Sequence, residues 1–289
     1  MADFTLILPV HNRPDLAVSQ LNSYREQLRV EAADDGHVAS FPIVIANSSA
    51  IPIRTEGYLY PEARFPKTAT VFEKIHDTLG LVTTPYVVIG ADDDVFDIAG
   101  LRAAARWLRD NPDYATCSGQ SVTVTPRGEI APYKQLEIDA ATGYERLRDH
   151  LGNYSTTWYS MQRTENARDI YATVLATDVD TTHLGEILPS CLSVIAGKAH
   201  VTGRFYMVRR VWPGRKQSTE LSTSAQVFAA SRVLQDKVSQ PVHDMLRSKL
   251  DRKPRRLTWW RKVKHGIANR RAAERWGSSV NDLIQKGGE

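Results

Sequence analysis

Pro85-Tyr-Val-Val-Ile-Gly-Ala-Asp-Asp-Asp-Val-Phe96 sets a short apolar strand directly before three consecutive carboxylates, Asp92, Asp93 and Asp94. Like charges this close repel one another, so they are neutralised either by protonation or by a cation. Oxygen-only ligands select hard ions, and Mg²⁺ or Mn²⁺ commonly shares a few carboxylates with substrate phosphates. The competing reading is a polar turn that caps a helix over 98–109, a role Asp97 fills alone.

Working back from that strand, the amino-terminal half alternates as a parallel sheet with crossover helices demands. Phe4–Val10 reads as the first strand, 14–30 as a helix with Pro14 in its first turn, and Phe41–Ala46 as the second strand. Tyr58-Leu-Tyr60 is a weaker strand candidate, and 68–81 has helical spacing at Val71, Ile75 and Leu79. In such a Rossmann-like half, ligands bind beyond the carboxyl ends of the strands. The loops there carry Pro9 and His11-Asn12-Arg13, then Asn47-Ser48-Ser49, then the Asp triplet. Neither a GxGxxG turn nor a Walker A loop follows the first strand, which disfavours dinucleotide and P-loop ATP chemistry.

Beyond residue 111 the sequence predicts a hairpin over 114–126 and 130–135 around Arg127-Gly128, a short helix over 144–151 and a strand over 158–162. A helix over 164–176 with Thr164 as its cap, a mostly apolar helix over 180–196, a strand over 201–208 and one long helix over 218–246 follow.

Length and composition bound the classes. A chain of 289 residues, 42% apolar, is ample for a sizeable core. Its two cysteines, Cys117 and Cys191, have no CxxC spacing and suggest neither a disulfide framework nor a zinc site. No signal-peptide pattern opens the chain and no apolar run approaches the about 20 residues a membrane span needs, so a cytoplasmic protein is expected. From Arg247 onward there are 13 Lys and Arg against 4 Asp and Glu, or +9, which leaves −5 for the body out of the net +4. An acidic body with a basic tail is not expected to bind nucleic acid; it suits an enzyme held near an anionic surface. Residues 252–276 interleave basic residues with Leu257, Trp260, Val263 and Ile267 at helical spacing, the composition of an interfacial helix on anionic lipid or of a helix docked on the body. The expected division is 1–246 as the main domain, with a nucleotide-binding half over 1–110 and an acceptor-side half over 111–246, and 247–289 as a basic amphipathic tail.

Leu6-Ile-Leu-Pro-Val-His-Asn-Arg13, Ile43-Val-Ile-Ala-Asn-Ser-Ser49 and Thr83-Thr-Pro-Tyr-Val-Val-Ile-Gly-Ala-Asp-Asp-Asp94 together resemble the GT-A fold glycosyltransferases of the family 2 type. Trp158-Tyr-Ser-Met-Gln-Arg-Thr-Glu165 and 197–210 look like the bacterial branch associated with surface polysaccharide and lipopolysaccharide assembly, and the resemblance spans 4–212. It implies a mixed α/β sheet flanked by helices, a nucleoside-diphosphate sugar donor, a glycan, glycolipid or other hydroxyl acceptor, and inverting transfer. It also implies Mn²⁺ or Mg²⁺ on an Asp-x-Asp motif, with Asp92 near the ribose, Asp94 on the metal and Asp93 beside them. Pro9, Asn12, Arg13, Asn47 and Lys74 fall where the donor nucleotide would lie, although the family usually has Asp where this chain has Asn47. Glu186, in Thr181-Thr-His-Leu-Gly-Glu186, is the best match to the catalytic base and Asp180 the second; Glu186 reads equally as a surface residue of its helix. His183 shares a helical face with Glu186, Arg209 and Arg210 are further candidates to meet the diphosphate, and Trp158 and Tyr159 are suited to stack on a sugar or to pack in the core. The rivals are a sugar nucleotidyltransferase, which lacks its glycine-rich basic loop here, and a non-catalytic nucleotide or sugar binding module.

Overall fold

Every residue of the opening strand β1 (Phe4–Val10) is buried, as a central strand with helices on both faces requires. The computed structural model describes residues 3–35, 41–55, 59–177, 179, 183–211, 223–251 and 259–285. After β1 come α1 (Pro14–Asp35), β2 (Ile43–Asn47), β3 (Glu62–Arg64), α2 (Val71–Leu79) and β4 (Tyr86–Ile89). β2 and β4 both pair in parallel with β1, and β3 extends the sheet from β2. The order β3-β2-β1-β4 is therefore the expected Rossmann-like half, with its crevice at the carboxyl ends of β1 and β4. The third strand lies at Glu62–Arg64, a few residues beyond the expected Tyr58-Leu-Tyr60, of which Tyr58 falls outside the described residues.

The second half adds β5 (Val95–Phe96), α3 (Ile98–Asp110), β6 (Tyr114–Val124), β7 (Ile130–Tyr133), α4 (Gly143–Gly152), β8 (Met161–Arg163), α5 (Thr164–Ala176), α6 (His183–Ala196) and β9 (Lys198–Arg210). Three helices complete the chain: α7 (Ser224–Val238), α8 (His243–Leu250) and α9 (Trp259–Gln285). The sheet continues β4-β8-β6-β9-β5, with β7 paired to β6 as the expected hairpin. β8 is antiparallel to both its neighbours and β9 runs parallel to β6, so the sheet is mixed. β5 returns to pair with β9, so the Asp triplet bridges two distant parts of the sheet.

Side-chain alternation divides the core. Leu6, Leu8 and Val10 of β1 face one cluster, with α1, α3 and the end of α9; Ile7 of β1 with Val87 and Ile89 of β4 face the other, with α2 and α4–α8. Local chemistry starts the helices where the sequence places it. Thr70 and Glu73 form a reciprocal capping box at α2, and Asp97 accepts from the Gly100 N–H at α3. Gly100 is required by close packing, because a Cβ there would lie 2.1 Å from the Phe205 carbonyl oxygen of β9.

Two expectations are corrected. Thr164 does not cap α5; it is the first helical residue, and its hydroxyl donates to the Thr84 carbonyl oxygen at 2.8 Å, tying α5 to the entry of β4. The long helix over 218–246 is two helices, since Ser239 adopts φ 55° and Pro241 follows it; 218–222 lie outside the described residues.

Residues 268–283, in the segment set apart as a tail, pack on the body. Ala272, Val280 and Leu283 are buried in the α1-side core, Trp276 stacks at 5.1 Å on Phe205, and Ser23 Oγ donates to the Leu283 carbonyl oxygen. The Leu257 position and the side chains of Trp260, Val263 and Ile267 lie outside the described residues. Among the described residues no helix is long and apolar enough to cross a membrane.

Candidate active site

A cavity of about 650 Å³ opens at the carboxyl ends of β1 and β4. Its wall combines Pro9, His11 and Arg13 from the loop after β1, Lys67 to Phe72 and Lys74 from the start of α2, and Asp92 after β4. The second half of the chain closes it with Tyr133, Trp158, Tyr159, Glu186 and Arg209. Pro9, His11, Arg13, Lys74, Asp92, Trp158, Tyr159, Glu186 and Arg209, all singled out in the sequence, thus meet in one place.

The cavity is electropositive. Arg13, Lys67, Lys74 and Arg209 line it against the carboxylates of Asp92 and Glu186. Burial, then the charges of Lys74 and Lys67, lower the pKa of His11 on the same wall. Lys74 is buried, and its Nζ donates to the Val10 carbonyl oxygen at 3.0 Å and to Ser48 Oγ at 3.1 Å, which moors α2 to the ends of β1 and β2. Burial lowers its pKa while Asp92 acts in the opposite direction. Arg209 sits over the Tyr133 ring at 5.2 Å, and its Nε is buried without a hydrogen-bond partner.

The Asp triplet is held by arginines from both halves. Arg13 donates to Asp92 through one guanidinium nitrogen and to Asp93 Oδ2 at 2.7 Å through another. The Arg210 backbone N–H donates to Asp94 Oδ1 at 3.0 Å, and its side chain reaches the Asp93 carbonyl oxygen at 2.8 Å. Asp94 is fully buried, and its Oδ2 has no hydrogen-bond partner. Burial first, and then the charge of Asp93, push its pKa up to about 6; the Tyr159 hydroxyl and the Arg210 N–H act against the shift. Burial also raises Asp92, with Arg13 opposing it. Among the described residues no group of three or more His, Cys, Asp and Glu side chains is assembled to hold a metal.

A polar stripe on α1 supports this loop from behind. Gln20 donates to the Asp94 carbonyl oxygen, the Tyr24 hydroxyl accepts from the Phe96 N–H at 3.3 Å, and Gln27 donates to the Phe96 carbonyl oxygen and accepts from the Ile98 N–H at 3.1 and 2.9 Å. The spacing of 20, 24 and 27 puts all three on one helix face. These side chains satisfy backbone groups in and beside the two-residue strand β5, which among the described residues has a sheet partner on one side only.

Other candidates fall elsewhere. Asn47 is buried and does not line the cavity, and its amide is engaged: Nδ2 donates to the Ile51 carbonyl oxygen and to Glu62 Oε1, while Oδ1 accepts from the Ser49 N–H. Asn12 is exposed and does not line the cavity, and Asp93, Asp94 and Arg210 lie behind its wall. Asp180 is outside the described residues, as is the His183 side chain. Glu186 is exposed on α6, and the Tyr154 hydroxyl lies 3.4 Å from its Oε1 and 3.3 Å from its backbone oxygen. Trp158 both lines the cavity and packs, donating Nε1–H to the Gly90 carbonyl oxygen at 3.4 Å with its ring edge-on to Tyr171. Lys67 and the 68–70 segment were missed as site residues because 68–70 were read as the start of a helix over 68–81, whereas α2 begins at Val71 with Thr70 as its cap and the residues before it form a loop on the cavity. Tyr133 and Tyr154 carry no local signal.

No family model matches the chain, and no curated protein matches it. Among solved structures it is similar to residues 1–349 of S. aureus TarS in complex with UDP-GlcNAc, at TM-score 0.59 and 13% identity over 86% of this chain and 70% of that one. The complex of the same TarS segment with UDP matches at TM-score 0.53 and 14% identity with the same coverage. Against S. aureus TarS as a whole the TM-score is 0.52, and this chain covers 43% of it. The GT-A-like mixed α/β fold expected from the sequence is thus the fold observed, a curled mixed sheet flanked by helices as in TarS.

Proposed function

We propose that this chain is a glycosyltransferase that moves a sugar from a nucleoside-diphosphate donor to an acceptor hydroxyl with inversion. One observation carries the reading: a cavity at the carboxyl ends of β1 and β4 that brings four cationic side chains, Arg13, Lys67, Lys74 and Arg209, together with the exposed carboxylate of Glu186. Arg13, Lys67 and Arg209 are suited to meet a diphosphate, with Lys74 adding positive potential from beneath. The likeness of fold to a protein solved with UDP-GlcNAc and with UDP supports a nucleotide-sugar donor.

Glu186 is proposed as the base. It takes the proton of the acceptor hydroxyl as that oxygen bonds to the anomeric carbon and the bond to the diphosphate breaks, while Tyr154 restrains its carboxylate. Asp92 and Asp94 fit a divalent ion: the donor set is all oxygen, and Asp94 Oδ2 is buried without a partner. When bound, Mn²⁺ or Mg²⁺ would offset charge on the departing diphosphate. Arg13, now on Asp92 and Asp93, is placed to turn to the phosphates when that charge is met. With its amide engaged by Glu62 and the 49–51 loop, Asn47 supports the fold of the nucleotide pocket and is not proposed to touch the base. The acceptor proposed is a glycan or glycolipid, and residues 252–267 retain a proposed peripheral role on anionic membrane. Trp260→Asp should then abolish sedimentation with phosphatidylglycerol vesicles, and unchanged sedimentation removes that part.

The deciding experiment is calorimetry of UDP, GDP, CDP and dTDP, each with and without Mn²⁺, on the wild type and on Asp94→Ala. Binding of one nucleotide that needs Mn²⁺ and is lost in Asp94→Ala is the expected result. Failure of all four to bind would overturn the transferase reading.

A further inference from the structure

On the other face of the hairpin lies a second groove, of about 420 Å³, between α9 and strands β6 and β7. Gln120 of β6, Pro132 of β7 and Ala272, Arg271, Arg275 and Trp276 of α9 line it. The α9 residues recur at three- and four-residue spacing, so they form one helix face. The small Ala272 leaves the gap, while Trp276 is braced from behind by Phe205 at 5.1 Å.

The walls have a definite chemistry. Arg271 and Arg275 are exposed, neither forms an ion pair with a described residue, and no acidic side chain lines the groove. The Arg275 guanidinium lies 4.7 Å from the Trp276 ring centroid, which holds the fork beside a flat aromatic surface. Trp276 lies between Phe205 and the Arg275 guanidinium, so it backs the arginine fork and leaves its edge to the groove; the two guanidiniums offer bidentate donors to a carboxylate or phosphate, and Gln120, whose Nε2 donates to the Thr202 carbonyl oxygen at 3.4 Å, adds its amide oxygen for a hydroxyl. Pro132 and Tyr133 are consecutive on β7, so they point to opposite faces, and Tyr133 lines the first cavity. One strand therefore separates the two sites.

We propose that this groove is a second carbohydrate site, which binds an anionic stretch of the acceptor glycan while a neighbouring unit reaches Glu186 over the hairpin. Binding in the groove stands on the groove's own residues; its role as an acceptor subsite rests on the transfer reading above.

The test uses the full chain and the double variant Arg271→Glu/Arg275→Glu, whose positions are exposed and whose folding is checked by its melting temperature. Binding is measured for labelled oligogalacturonate, a phosphorylated mannan, neutral dextran, polyphosphate and phosphatidylglycerol vesicles, with UDP–Mn²⁺ binding followed in parallel. One or both acidic glycans should bind and weaken at least tenfold in the double variant, with dextran not binding, polyphosphate binding more weakly and UDP affinity unchanged. Which glycan binds distinguishes carboxylate from phosphate. The proposal is overturned if neither acidic glycan binds, if the variant binds them as well as the wild type, or if polyphosphate binds as tightly as they do. It is equally overturned if the variant loses vesicle binding alone, which would make the arginines a membrane contact. Loss of glycan binding in the variant alongside absent UDP binding in both proteins supports the groove and defeats only the transferase reading.

Discussion

Replacing Asp94 by Asn in metal-free protein should stabilise the fold at neutral pH and leave it unchanged in acid. The carboxyl is fully buried beside Asp93, and its pKa stands at about 6 against 3.8 for the free group. A raised acid binds its proton more tightly in the folded state, so the penalty appears as pH rises above 3.8 and is complete above about 6. The difference between 3.8 and about 6 corresponds to about 3 kcal/mol. Asn keeps an oxygen for the Arg210 N–H, but its amide N–H replaces the unpartnered Oδ2 and costs about 1 kcal/mol, which leaves a gain of about 2 kcal/mol at pH 7.5. At pH 4.5 the charge penalty has fallen to about 1 kcal/mol and the two effects cancel. Thermal and urea unfolding in EDTA at the two pH values measure this, with a rise of about 5 °C in Tm expected at pH 7.5. A gain that is the same at both values, or no gain at pH 7.5, refutes the argument that burial of the Asp94 charge outweighs what Arg210 and Tyr159 offer it. Under the metal reading, Mn²⁺ at pH 7.5 then raises the wild-type Tm and not that of the variant.

Three further outcomes are expected. Glu186→Gln should lower transfer by about 10²- to 10⁴-fold while leaving nucleotide binding intact, and an active variant would remove Glu186 as the base. Gln27→Leu should cost about 2–4 kcal/mol in urea unfolding, because it strands the Phe96 carbonyl oxygen and the Ile98 N–H in the core; a cost under about 1 kcal/mol would show that other groups serve them. Lys74→Met should weaken UDP binding in calorimetry by about tenfold and destabilise by about 1–3 kcal/mol, since it removes both the cavity's deepest cation and the link to Val10 and Ser48; undiminished UDP affinity would place the diphosphate elsewhere.

Much of the first half of the fold was legible in the sequence. The near-continuous apolar runs of Phe4–Val10 and Tyr86–Ile89, helical spacing over 71–79, and Asp97 as a cap each report an environment within a few residues of themselves. The Asp triplet announced the site because three adjacent carboxylates require compensation wherever they lie. Less was legible on the other side of the cavity. β5 is two residues long and exists because β9 pairs with it on one side and α1 side chains serve its backbone; no two-residue pattern could announce that.

Only the tertiary structure decided what compensates and completes the site. Arg13 meets Asp92 from 79 residues away, and Arg210 meets Asp94 from 116. Asn47, which the resemblance placed near the nucleotide, has its amide engaged by Glu62 from 15 residues away. The break of the expected long helix follows from a left-handed Ser239 before Pro241, and the docking of 268–283 from apolar faces finding the α1 side of the sheet. Sequence periodicity states which face of an element seeks burial, and charge states that a partner is needed. Which face and which partner are met depends on chain closure across a hundred residues, and no local pattern encodes that.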